Sequence, residues 1–250
     1  MVENGIRSFP AVLQQLCANT DGQPMSNVKL AQAIGVSHSY IAQLRRGTRE
    51  PTLATVEALA EFLNVHPAYF VGGRRDRAPR SLSQRSFREK LNTLFDLARH
   101  PEKNELTLDA AVAAVRERGK ERGDTNWTIS PSTIIDLRSG KNTNPRLRHV
   151  IMLAEVFHSP PAYFLDEELA EQMDSQLRFH RTMAELGIEK VVTRAPELTE
   201  EVRDSLVRTL VKALKPEAAD AVEEALTRSA RAPETPDGQP SGGTAHGGVT

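Results

Sequence analysis

At 250 residues, with a formal charge of −1 and 39% hydrophobic residues, the chain is long enough for two small domains with extensions. No apolar run reaches the roughly 18 residues that a bilayer helix needs, and residues 1–10 lack the basic-then-apolar pattern of a secretion signal. A lone Cys17 excludes an internal disulfide, and the small net charge hides an asymmetry: residues 1–165 hold 22 Lys and Arg against 16 Asp and Glu, whereas residues 166–250 hold 10 against 17.

The first unit is expected over residues 1–72. Leu13 and Leu16 stripe an opening helix. Ser26 is placed as the N-cap of a second helix that Gly35 stops, with Leu30, Ala31 and Ile34 on one face. Ser37 caps a third helix, buried through Ile41 and Leu44 and ended by Gly47. Thr52 caps a fourth that turns Val56, Leu59, Ala60 and Leu63 inward, and Pro67 opens a short turn placing Tyr69 and Phe70. No strand-like alternation interrupts these helices.

Residues 73–86 read as a basic flexible linker, rich in Gly, Pro, Ser and Arg, that could also touch phosphates. The second unit is expected over 87–165. Phe87, Leu91, Leu94 and Phe95 form its first stripe, and Thr107 caps a helix from Leu108 to Arg118. Gly119–Thr128 is a polar insertion, Ser130–Gly140 the next helix, and Val150, Leu153, Ala154 and Phe157 mark the last. Residues 166–230 read as an acidic helical dimerisation domain carrying Leu169, Met173, Leu177, Met183 and Leu186 at helical spacing. Two helices, Thr199–Leu214 and Glu217–Arg228, close it. The tail at 231–250 has almost no large apolar side chains and is expected to be disordered.

The two units repeat one another. Residues 37–47, Ser-His-Ser-Tyr-Ile-Ala-Gln-Leu-Arg-Arg-Gly, parallel residues 130–140, Ser-Pro-Ser-Thr-Ile-Ile-Asp-Leu-Arg-Ser-Gly, and Pro-Ala-Tyr-Phe follows each at 67–70 and 161–164. The glycines are 93 residues apart and the tyrosines 94, so one extra residue falls between Gly140 and Pro145. A helix that begins with small polar residues and buries Ile and Leu behind them is suited to the major groove, braced by the helix before it. On this reading Ser37, His38, Ser39, Tyr40 and Gln43 face duplex DNA from the first unit, with Arg46 and Arg49 on phosphate and Asn27 at a helix N-terminus beside it. Ser130, Ser132, Thr133, Asp136, Arg138 and Lys141 are the corresponding candidates in the second unit.

Residues 30–52, from Leu-Ala-Gln-Ala-Ile-Gly-Val-Ser to Gly-Thr-Arg-Glu-Pro-Thr, resemble the Cro/C1 or XRE helix-turn-helix family in the Ala31–Gly35 spacing, the Leu44/Gly47 ending and Pro51. Phe87–Phe95, Leu137–Pro145, Ala162–Phe164 and the acidic start at Asp166 resemble the EspR-type nucleoid-associated regulators of mycobacteria, over roughly residues 87–214. The resemblance implies a DNA-binding domain followed by a helical C-terminal dimerisation domain. Asp136 departs from the glutamine usual in the family, and Pro131 stands directly after the cap.

The expected fold is therefore all-α, with two tandem helix-turn-helix domains. The expected function is a sequence-selective transcriptional regulator or nucleoid-associated protein that binds double-stranded DNA as a homodimer in the cytoplasm; the alternative is a protein–protein adaptor whose helix-turn-helix units have lost DNA contact. No phosphate loop, nucleophile elbow, zinc spacing or acid–base dyad is present in the sequence, so no enzyme, cofactor, metal or small-molecule ligand is expected. Tyr69, Phe70, Tyr163 and Phe164 read as packing rather than base-stacking platforms, and Cys17 as a small buried hydrophobe.

Overall fold

The computed structural model describes residues 8–18, 24–76, 85–97, 106–185, 199–214 and 220. The described residues are helical, joined by turns, with no strand apart from one isolated bridge. They divide into a compact unit at residues 1–181 and a second at 182–250.

The first unit holds two successive sets of elements in the same order. The first set comprises α1 (Phe9–Ala18), α2 (Asn27–Ile34), α3 (His38–Arg46), α4 (Leu53–Phe62) and a 3-10 turn at Pro67–Val71. The second comprises α5 (Phe87–Leu97), α6 (Leu108–Glu121), α7 (Pro131–Ser139), α8 (Leu147–Val156) and a 3-10 turn at Pro161–Phe164. Helix α9 (Glu167–Glu185) follows, and α10 (Glu200–Leu214) lies in the second unit.

The helix starts follow the capping chemistry of the sequence. Ser26, Ser37, Thr52, Thr107 and Ser130 each accept a hydrogen bond from a backbone N–H three residues on, which satisfies a donor that the first turn leaves open. Gly47 and Gly140 end α3 and α7 at φ 71° and 79°, a left-handed conformation that an L side chain resists. The likeness extends to non-glycine positions: α4 and α8 are both followed by a left-handed residue, Asn64 at φ 51° and His158 at φ 52°.

Packing is duplicated too. Phe9 stacks on Phe70 at 5.1 Å, and Phe87 stacks on Phe164 at 4.7 Å, so in each set the opening helix is pinned to the closing turn by one aromatic pair. Ile41, Leu44, Ile134 and Leu137 are fully buried behind α3 and α7. Phe70, Tyr163 and Phe164 are core residues, as is Cys17, while Tyr69 is half-buried beneath the Arg75 guanidinium at 5.8 Å.

Several boundaries differ from expectation. Helix α6 continues to Glu121, because Gly119 lets it run tight against Trp127; an added Cβ there would come within 2.9 Å of that residue. Trp127 itself packs on the core between the guanidinium groups of Arg122 at 4.5 Å and Arg148 at 5.1 Å. Leu169, Met173 and Leu177 are half-buried against the core of the first unit, so much of the apolar stripe of α9 is used within the chain. Leu186, most of the Glu217–Arg228 helix, residues 77–84 and the 231–250 tail lie outside the described residues, and of Met183 only the backbone is described.

The two sets are joined edge to edge. Thr52 and Arg146 form an antiparallel bridge in which Leu53 N–H donates to the Pro145 carbonyl and Leu147 N–H to the Pro51 carbonyl, both at 2.9 Å. The two 3-10 turns also meet, at a place where Gly73 lies so close that an added Cβ would sit 2.9 Å from the Ala162 Cβ.

Candidate nucleic-acid interface

Helix α3 presents a polar outer face over an apolar back. His38, Ser39 and Arg46 are exposed and Gln43 is half-exposed. Ser37 accepts from Tyr40 N–H at 3.2 Å and shares a hydroxyl contact with Ser39, so its oxygen holds the helix start. Tyr40 is a support: its hydroxyl meets Thr55 at 3.4 Å and its ring carries the Arg49 guanidinium at 5.1 Å. Arg46 lies along its own helix, with Nε donating to the Ala42 carbonyl at 3.2 Å.

The brace before α3 is fastened by a residue that sequence reasoning passed over. Arg45 donates from Nη2 to the Met25 carbonyl at 2.6 Å, and its own carbonyl accepts from Gln14 at 3.0 Å. Asn27 begins α2, and its Oδ1 is shielded without a hydrogen-bond partner among the described residues.

In the second set, Ser130 accepts from Thr133 N–H at 3.1 Å and meets the hydroxyls of Ser132 at 3.0 Å and Thr133 at 2.7 Å. Asp136 is 38% exposed and lies 3.6 Å from the highly exposed Lys141, a solvated pair of small energetic value. Ile135, next to it, is 53% exposed. Arg138 turns away from this face: its Nε donates to Asn92 at 2.9 Å and its guanidinium lies 4.1 Å over the Phe95 ring. Arg138 occupies the place of Arg45, and both tie their helix to the rest of the set. The Leu-Arg pair common to both repeats was the available signal for this role.

Two of the three arginines at the described ends of the 73–86 segment bind carboxylates. Arg74 pairs with Asp166 and Glu168, and Arg85 with Glu167 and Asp174. Beneath them Lys90, 2% exposed, places Nζ 3.0 Å from Glu167 and 3.4 Å from the Phe164 carbonyl, and Tyr163 donates to Asp174 at 2.7 Å. Burial alone would raise the Glu167 carboxyl, but Arg85 and Lys90 more than offset it and hold the group below its ordinary range. Burial, followed by the negative charge of Asp174, pushes the Tyr163 phenol up, and burial pulls the Lys90 ammonium down. Acidic residues that read as the start of a dimer domain thus form the inner lining of a charged latch. Sequence could not reveal it, because partners such as Arg85 and Asp174 lie 89 residues apart.

Among the described residues no group of three or more His, Cys, Asp or Glu side chains could hold a metal ion, and no helix is long and apolar enough to cross a membrane.

Residues 25–70 match the helix-turn-helix family model. The match takes in α2, α3, α4 and the turn after them, so a helix-turn-helix of XRE type lies where the sequence motif was read. The chain is also similar to the nucleoid-associated protein EspR of Mycobacterium tuberculosis, in strain CDC 1551 / Oshkosh and strain ATCC 25618 / H37Rv alike. Each is 29% identical over 136 residues, which is 54% of this chain and 98% of the relative.

Proposed function

We propose that this protein is a DNA-binding regulator or nucleoid-associated protein of XRE type, acting from the cytoplasm on double-stranded DNA. The carrying observation is the face of α3: Ser39, Gln43 and Arg46 stand outward at the start and end of a capped helix whose Ile41 and Leu44 are fully buried. Gln43 is suited to pair with adenine through both of its amide atoms, worth roughly 1–3 kcal/mol of discrimination. Ser37, His38 and Asn27 face the same duplex, with Arg46 and Arg49 free to swing to phosphates. In the second set Ser130, Ser132, Thr133, Asp136 and Lys141 take the equivalent places, and Arg138 acts as a strut.

The chain associates as a homodimer in this reading. With Leu169, Met173 and Leu177 engaged within the chain, residues beyond Arg181 are the segment left to build the dimer, and Val202 on α10, 49% exposed, is suited to it. Light scattering of the full chain at micromolar concentration checks this, and a monomer there removes it.

A gel-shift titration over 50–200 mM salt tests the main reading. Sequence-selective binding that weakens steeply with salt, and is lost when Gln43→Ala and Arg46→Ala are combined, supports it. Absence of binding at low salt leaves the adaptor alternative.

A further inference from the structure

The contacts that join the two sets are reciprocal. Pro51 corresponds to Pro145 in the repeat, and Leu53 to Leu147. Leu53 N–H reaches the Pro145 carbonyl and Leu147 N–H reaches the Pro51 carbonyl, each at 2.9 Å. The residues bridged between them, Thr52 and Arg146, are themselves equivalent. Glu50 corresponds to Asn144, and Ala54 to Arg148. Glu50 pairs with the Arg148 side chain at 3.2 Å, and Asn144 accepts from Ala54 N–H at 2.9 Å. Arg74 and its equivalent, Glu168, form an ion pair with each other.

Such reciprocity, in which i touches j and the equivalent of j touches the equivalent of i, is the signature of a twofold interface between identical subunits. Here it occurs inside one chain. Reciprocal contacts of this kind imply a pseudo-twofold axis between Thr52 and Arg146, one that would relate α3 to α7. Each recognition helix ends only a short loop from the axis, at Gly47 and at Gly140. At roughly 3.3–3.6 Å per residue, neither helix end can lie more than about 20 Å from the axis. Twofold pairs of helix-turn-helix units read half-sites about 34–36 Å apart, one helical turn of DNA. A recess of about 610 Å³ lies along the axis and is flanked by the exposed Arg49 and Arg146 as well as by Glu50 and Arg148. Arg148 is held by Glu50 and Asp124, so Arg49 and Arg146 are the cations left to face phosphates.

Resting on the reading of the protein as a DNA binder, we propose that one chain is a complete two-headed reader: the pseudo-twofold pairing presents α3 and α7 together to one duplex bearing two unlike, inverted half-sites about one helical turn apart. The half-sites are unlike because the outer faces differ. Gln43 favours adenine under α3. Under α7, exposed Ile135 suits the methyl group of thymine and Asp136 accepts from the amino group of cytosine.

The experiment is selection of bound duplexes from a randomised pool with the full chain, followed by footprinting of the winners. The expected result is an asymmetric site protected over two adjacent major grooves. Gln43→Ala relaxes preference in one half alone, and Ile135→Ser with Asp136→Ala relaxes it in the other half alone. These side chains are at least partly exposed, and circular dichroism checks that the variants keep their helices. Inserting five base pairs between the halves turns one of them to the opposite side of the duplex and lowers affinity by about 100-fold, because rigidly paired heads cannot follow as tethered ones would. A palindromic site, or an asymmetric one indifferent to the α7 substitutions, overturns the proposal while leaving DNA binding intact. No selected duplex at low salt overturns both.

Discussion

On its outward face α3 offers Ser39, Gln43 and Arg46, whereas α7 offers Ser132, Ile135 and Asp136. Behind these faces the two sets are nearly interchangeable: the same buried Ile and Leu, the same left-handed glycine, the same stacked phenylalanine pair. The difference teaches where a duplicated domain is free to diverge. A buried position is constrained by every neighbour it touches, so core substitutions are felt at the scale of a methylene group. An outward position answers only to solvent and ligand, and there one copy has a glutamine where the other has an acid. Some struts also changed in kind while keeping their function: Arg45 ties α3 to a backbone carbonyl, and Arg138 ties α7 to Asn92 and Phe95.

The shared core can be broken most forcefully. Phe70→Ala and Phe164→Ala each remove half of a stacked pair and are expected to cost about 3–5 kcal/mol in urea unfolding. Tolerance of one but not the other would show that the sets are not equal in their cores. The outer faces differ in the opposite way. Combining Gln43→Ala with Arg46→Ala should lower affinity for a selected duplex about 100-fold, whereas Asp136→Ala should lower it only a few-fold, because the lost cytosine contact is partly offset by removal of a charge repelled by phosphate. An unchanged or improved affinity for Asp136→Ala would show that this carboxylate makes no base contact.

The junction comes next. Gly73→Ala places a methyl group 2.6 Å from the Ala68 Cβ and 2.9 Å from the Ala162 Cβ, and should destabilise the first unit by about 1–3 kcal/mol. Ser37→Ala and Ser130→Ala, read by thermal melting, each remove a cap worth about 1 kcal/mol. The second should cost more, because the Ser132 and Thr133 hydroxyls lose a partner with it.

The smallest effect is a pH dependence found in one set alone. His149, where the first set has Thr55, is held below the ordinary histidine range by burial and then by the charge of Arg146, with Glu50 opposing. The folded state therefore resists a proton that the unfolded chain accepts. Stability should decline as pH falls through the ordinary histidine range, and His149→Gln should flatten that decline. A wild-type curve equally flat between pH 7 and 5 removes His149 as its cause.

Much of the local structure was legible because its causes are local. Ser26, Ser37, Thr52, Thr107 and Ser130 cap the helices that follow them within three residues, and Gly47 and Gly140 stop theirs, so linear spacing was enough. Most of the candidate face of α3 followed from the same periodicity. Arg138 did not, because its direction depends on Asn92 and Phe95, 46 and 43 residues earlier. Nor did the use of α9, since an apolar stripe of Leu169, Met173 and Leu177 looks the same whether a second chain or the chain's own core covers it.

By itself the sequence determined that one helical unit was written twice, where its helices begin and end, and which side chains each keeps inside. Caps, left-handed stops and the 3.6-residue period act over a turn or two, and they are visible wherever they occur. Only the tertiary structure decided that the two copies meet through equivalent residues and that Arg74 and Arg85 answer to carboxylates. Those pairings join groups some 80 to 98 residues apart. Charge and hydrogen bonding at such separations depend on where the fold brings the partners, and linear order carries no record of that distance.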